Sequence, residues 1–98
     1  MEKSIPHCKL SVVKAMIEVG KVRSTVSALA GGAALGFDFA EIVKVVKTLA
    51  PADFYKSMTT NADHRIWQDV YRPTTPAGEV YLKLTVIDEV LIVSFKEL

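Results

Sequence analysis

Lys56, Gln68, Arg72, Tyr81, Lys83 and Lys96 are the residues of this chain whose types could do chemistry together. They sit in strand-like runs at 53–60, 66–73, 80–87 and 90–96, where so short a protein would ordinarily place apolar side chains. Ammonium and guanidinium groups stabilise negative charge developing on a phosphoryl group. A phenol can donate a hydrogen bond or a proton, whereas an amide such as Gln68 orients a phosphate or ribose without transferring protons at neutral pH. RNA strand scission fits this set, because the ribose 2′-hydroxyl is its own nucleophile. The protein need only help remove one proton, stabilise the extra charge on phosphorus and protonate the 5′-oxygen. A lysine serves as base only if burial or neighbouring cations bring its pKa well below about 10.4. Crowding among Lys56, Arg72 and Lys96 would push in that direction, and Tyr81 is the candidate acid or phosphate donor.

Other chemistries find no support. The two histidines, His7 and His64, fall in a terminal and a loop position and read as surface residues. No metal-ligand spacing, phosphate-binding glycine motif or nucleophile elbow appears, so neither metal nor cofactor is expected. The one cysteine, Cys8, cannot form an internal disulfide, and the expected compartment is a reducing cytoplasm. No run is long and apolar enough for a membrane span. Half the residues are hydrophobic and 23% are charged, an ordinary globular composition, and 98 residues suffice for one domain, 1–98.

Net charge is uninformative. The formal value is +1, and residues 51–98 hold five cations (Lys56, Arg65, Arg72, Lys83, Lys96) against seven acids (Asp53, Asp63, Asp69, Glu79, Asp88, Glu89, Glu97). Arrangement decides instead. Residues 80–87 alternate apolar and polar, and a two-residue turn at Asp88-Glu89 would pair Tyr81 with Lys96 and Lys83 with Ser94. That register sends Val80, Leu82, Leu84, Val86, Leu91, Val93 and Phe95 towards the core. It leaves Tyr81, Lys83, Thr85, Ser94 and Lys96 on the open face. Plain pairing across a loop at 61–65 puts Met58 opposite Gln68, with Lys56, Met58, Gln68 and Arg72 sharing that face. Asp69 then points inward with Trp67 and Tyr71 and requires a partner. For any single lysine a solvated sheet face is sufficient; for the whole set, with Tyr81 and Gln68 interleaved, an anion-binding surface is the better reading.

Residues 1–50 read as helical and must position this sheet. Leu10, Val13, Met16 and Ile17 form one apolar stripe ended by Gly20. A second helix starts near Ser24-Thr25 and runs towards Leu35-Gly36, with Gly31-Gly32 placed to split it. The third opens on an Asp38/Glu41 capping box stapled by Phe37 and Ile42, repeats Ile42, Val45, Val46 and Leu49, and stops before Pro51. Helices followed by strands predict an α+β domain, with amino-terminal helices packed on one face of a carboxy-terminal antiparallel sheet.

The runs Asp53-Phe54-Tyr55-Lys56-Ser57-Met58-Thr59-Thr60, Trp67-Gln68-Asp69-Val70-Tyr71-Arg72-Pro73, Val80-Tyr81-Leu82-Lys83 and Val90-Leu91-Ile92-Val93-Ser94-Phe95-Lys96 resemble those of the MqsR family of toxins. The resemblance extends to Pro6-His7, Val22-Arg23 and Leu35-Gly36. It implies a RelE-like fold and an mRNA interferase, the toxin of a type II toxin–antitoxin pair, preferring GC-containing triplets such as GCU. It implies mRNA as substrate and, as partner, an MqsA-like antitoxin with a zinc-binding part and a helix-turn-helix part. The zinc belongs to that partner, and direct DNA binding by this chain is not expected. The family's catalytic positions match Lys56, Gln68, Tyr81 and Lys96, and RNA contacts fall to Tyr55, Met58, Arg72 and Lys83. Which group is base and which is acid stays open. The competing reading is a non-catalytic RNA- or protein-binding module using the same basic face.

Overall fold

In the computed structural model, which describes all 98 residues from Met1 to Leu98, three helices cover one face of a seven-stranded sheet. Helix α1 (Leu10–Glu18) buries Val13 and Ile17, four residues apart on one stripe, and ends at Gly20, whose φ of 78° suits glycine. Helix α2 (Val26–Ala34) is capped by Thr25, whose side chain accepts from the Ala28 N–H at 3.0 Å. Helix α3 (Phe39–Lys47) carries the expected capping box: the Glu41 N–H donates to Asp38 Oδ1 at 2.8 Å and the Asp38 N–H to Glu41 Oε1 at 3.1 Å. It buries Ile42 and Val46, and Leu49 joins the same core just beyond its end.

Gly31 and Gly32 do not break α2, contrary to the expectation from their helix propensity. A Cβ on Gly31 would lie 1.9 Å from the backbone oxygen of Phe95, and one on Gly32 would lie 2.3 Å from Ile42 Cδ1. The two glycines let the helix lie directly on the sheet and on α3, and tertiary packing overrides propensity.

The strands are β1 (Glu2–Lys3), β2 (Val22–Ser24), β3 (Phe54–Thr59), β4 (Trp67–Tyr71), β5 (Thr74–Thr75), β6 (Gly78–Ile87) and β7 (Glu89–Glu97). Their order is β1-β3-β4-β6-β7-β2, with β5 pairing β6 off this path. The architecture is the expected α+β, with two differences. The amino-terminal half is not wholly helical, since it supplies both edge strands. β2 also runs parallel to β7, so the sheet is antiparallel except at that edge. Both edge strands are two or three residues long, which limits the unpaired backbone they offer.

In the β6–β7 hairpin, Tyr81 pairs with Lys96 and Lys83 with Ser94 as expected, but the register shifts beyond Lys83 so that Leu84 pairs with Ile92. Val93 is the extra residue of this bulge, and Asp88 alone forms the tip, at φ 64°. The core therefore takes Val90, Ile92 and Phe95 from β7, not the expected Leu91 and Val93. Four consecutive apolar residues, 90–93, fit either phase of the alternation, which is why the pattern alone did not fix it.

Between β3 and β4, Met58 pairs with Gln68 and Ser57 with Asp69. Asp69 does point inward and is only 3% exposed. Its carboxylate accepts from Ser57 Oγ at 2.5 Å, the His7 backbone N–H at 2.9 Å and the Cys8 backbone N–H at 3.0 Å. The segment leading out of β1 thus meets the need of a buried carboxylate for donors.

Candidate active site

Strand alternation brings the candidate residues to the face opposite the helices. Lys56 of β3, Val70 of β4, Lys83 of β6 and Ser94 of β7 form one cross-strand row. Met58 and Gln68 pair on one side of it, and Tyr81 and Lys96 on the other. Val70 is fully buried although it belongs to this face, because the long stems of Lys56 and Lys83 stand on either side of it in register.

A second bulge completes the face. Phe54 pairs with Tyr71 on the core side, their rings edge to face at 5.4 Å, while Lys56 pairs with Val70 on the open side. Tyr55 is the extra residue between them. A regular strand would direct Tyr55 away from Lys56. Here Lys56 Nζ lies 5.5 Å, and the Arg72 guanidinium carbon 4.5 Å, from the centre of the Tyr55 ring. The Tyr81 ring is approached by Lys96 Nζ at 5.2 Å and Lys83 Nζ at 6.0 Å. Ring faces attract cations, so the two tyrosines hold the four positive groups close together against their mutual repulsion. All eight candidates, Lys56, Gln68, Tyr81, Lys96, Tyr55, Met58, Arg72 and Lys83, thus lie on or at the rim of one surface.

One participant carries no sequence signal. Glu2, in the two-residue strand β1, accepts from Lys56 Nζ at 3.1 Å. No periodicity or motif marks an acidic residue at the second position. Its effect reverses an expectation for Lys56: hydrogen bonding to Glu2 raises the lysine pKa, and crowding by cations does not lower it. The downward shift falls on Lys83, through partial burial first and then the charges of Lys96 and Lys56.

No three His, Cys, Asp or Glu side chains cluster as ligands for a metal ion. His7 stacks on Trp67 at 5.3 Å, with Lys3 Nζ 2.9 Å from its Nδ1, and His64 is exposed in the β3–β4 loop. The larger surface cavity, about 530 Å³, lies between α3 and the β5 turn and includes none of the eight residues. The cationic surface is an open platform, suited to a polymer that lies across it rather than to an enclosed small molecule. Chemically it can neutralise a phosphodiester, stack unpaired bases on Tyr55 or Tyr81, and move a proton through an amine or a phenol.

Similarity to known proteins covers essentially the whole chain. The family model described as "Motility quorum-sensing regulator, toxin of MqsA" matches residues 5–97. The mRNA interferase toxin MqsR of Escherichia coli (strain K12) is 58% identical over 97 residues, 99% of this chain and 99% of that protein.

Proposed function

Because this chain belongs to the MqsR toxin family, we propose that it is the toxin of a toxin–antitoxin pair and an endoribonuclease that cleaves mRNA. The observation that carries this reading is the gathering of Lys56, Arg72, Lys83, Lys96 and Tyr81 on one open face, with a single carboxylate, Glu2, among them. Lys56, Lys96 and Arg72 hold the scissile phosphate and its neighbours and offset charge developing on phosphorus. Gln68, beside Met58, orients the phosphate or ribose. Tyr81 donates to the phosphate or to the departing 5′-oxygen, and Tyr55 offers a ring to an unpaired base.

The finer reading is a preference for GC-containing triplets such as GCU, activity in the cytoplasm, and neutralisation by an antitoxin. That antitoxin carries a zinc-binding part and a helix-turn-helix part. The family description names MqsA, which supports an antitoxin partner, and the lone Cys8 fits a reducing compartment.

The test is incubation of purified protein with RNA containing GCU in the presence of a chelator. Products ending in 2′,3′-cyclic phosphate, lost when the scissile nucleotide is 2′-deoxy, support the reading. Binding without cleavage by folded protein, across RNAs of varied sequence, sinks it and favours a binding module.

Two variants probe individual roles. Tyr81→Phe is expected to slow cleavage by about 10²-fold, the lower end of what a positioned proton donor contributes. Affinity for 2′-deoxy-blocked RNA should stay within about twofold. Unchanged cleavage would reduce Tyr81 to packing or stacking. Glu2→Gln is expected to tighten binding of the same RNA by roughly two- to fivefold at low salt, the range of a solvent-exposed ion pair. The gain should shrink as salt rises, and anisotropy titrations read both. Equal affinity for the two proteins at low salt would show that Glu2 does not compete with phosphate for Lys56.

A further inference from the structure

Four cations share the platform, and their surroundings differ. Arg72 is a guanidinium, protonated at any working pH. Lys56 is ion-paired with Glu2, which holds it in the charged form. Lys96 is exposed, with its ammonium over the Tyr81 ring. Lys83 differs from all of them. It is half-buried at the centre of the face, in register with the fully buried Val70 on one side and Ser94 on the other. No ion pair neutralises it.

The groups around it come from every neighbouring strand. β4 presents Val70, with Gln68 and Arg72 to either side; β6 itself presents Tyr81 and Thr85; β7 presents Ser94 and Lys96. Beyond Val70, β3 presents Lys56, whose charge Glu2 of β1 engages. Partial burial and the cations Lys96 and Lys56 disfavour its ammonium form.

Resting on the endoribonuclease reading above, we infer that Lys83 is the general base that takes the proton of the attacking ribose 2′-hydroxyl. In that step the O2′–H bond breaks and the proton passes to the neutral Lys83 amine. The O2′–P bond forms, the P–O5′ bond breaks, and O5′ takes the phenolic proton of Tyr81. The Lys83 ammonium then returns a proton to the Tyr81 phenolate on the same strand and face, its Nζ being 6.0 Å from that ring's centre. No proton is consumed overall, and the products are a 2′,3′-cyclic phosphate and a 5′-hydroxyl. Lys83 thereby moves from a phosphate contact to the proton-transfer centre, with Lys56 and Lys96 left to serve the phosphate.

The experiment is single-turnover cleavage of a short RNA with one target triplet, from pH 6 to 10, by wild-type protein, Lys83→Arg and Lys83→Met. Wild-type rate is expected to rise with pH and level off below about 10.4. Lys83→Arg keeps the charge but cannot release the proton. It should lose about 10²-fold or more in rate, together with the rising limb. Its affinity for the 2′-deoxy-blocked RNA should change by less than about threefold on the same reasoning, since the charge is retained. Lys83→Met keeps a stem over Val70 and should lose rate similarly while melting as a folded protein. Lys83→Arg cleaving within threefold of wild type, or keeping the rising limb, overturns the inference. So does a loss of rate matched by an equal loss of affinity, which would mark a phosphate contact. Wild-type protein that cuts no RNA fails the endoribonuclease reading itself, and this assignment falls with it. Wild-type cleavage beside an active Lys83→Arg fails this assignment alone.

Discussion

Replacing Lys56 and Lys96 together with alanine is expected to slow RNA cleavage by about 10³-fold or more and to abolish growth inhibition on expression. Loss of one preorganised group that stabilises transition-state charge costs about 10²–10³-fold. Lys56 stands in the central row with Val70 and Lys83, Lys96 lies to one side of it with Tyr81, and on the proposed reading both serve one phosphodiester, so their losses overlap and should not multiply in full. The fold should survive. Lys96 is exposed, and Lys56 gives up a surface ion pair that contributes little and part of the cover over Val70, whose other flank keeps the Lys83 stem. Single-turnover kinetics beside thermal melts read both parts of the claim. A double variant that melts normally and remains fully toxic would remove these lysines from the chemistry.

Asp69→Ala is expected to destabilise the fold by about 3–5 kcal/mol. It leaves Ser57 Oγ with only the Gln68 carbonyl at 3.4 Å and orphans the part-buried backbone N–H groups of His7 and Cys8, each lost partner costing about 1–3 kcal/mol, with partial relief from water. For a domain of this size that is on the order of 15–30 °C in melting temperature. Urea titration gives the free energy directly. A loss under about 1 kcal/mol would mean that these donors find other partners, since buried groups left unpaired cost more than that. The variant should also weaken the grip on β1, because His7 and Cys8 anchor the segment leading out of it. Glu2 would then stand less firmly at Lys56, linking a buried carboxylate on the helix side to the charge of the open face.

How much of this was legible in the sequence varied with how far each signal was local. Asp38 and Glu41 are three residues apart and announce α3 by themselves, and the Tyr81–Lys96 and Met58–Gln68 pairs follow from short connections. The phase of residues 90–92 was not legible, because either face of Val90-Leu91-Ile92-Val93 is apolar and only packing against α2 selects one. β1 and β2 are too short for any periodicity, and their partners lie some 50 to 70 residues away in sequence. Glu2 was invisible for the same reason, and with it the reversal that keeps Lys56 charged and leaves Lys83 as the perturbed amine. Asp69 was legible as a problem, an acid on an inward-facing position. Its solution, two backbone donors from His7 and Cys8, belongs to a segment with no pattern of its own.

Both borders of the sheet are made from residues synthesised early, yet each border closes against strands made later. β1 meets β3, while β2 meets β7, where the Val90 N–H donates to the Lys21 carbonyl and Thr25 Oγ1 donates to the Val93 carbonyl. A chain growing from its amino terminus holds β2 without a partner until residues 89–97 emerge from the ribosome. Until then Tyr81 also has no Lys96 across from it, and α2 has no Phe95 to lie on. The platform is therefore incomplete until β7 has joined the sheet, because Lys96 and the strand that closes the β2 border arrive together. The order of strands makes the closing of the β2 border and the completion of the cationic face one event.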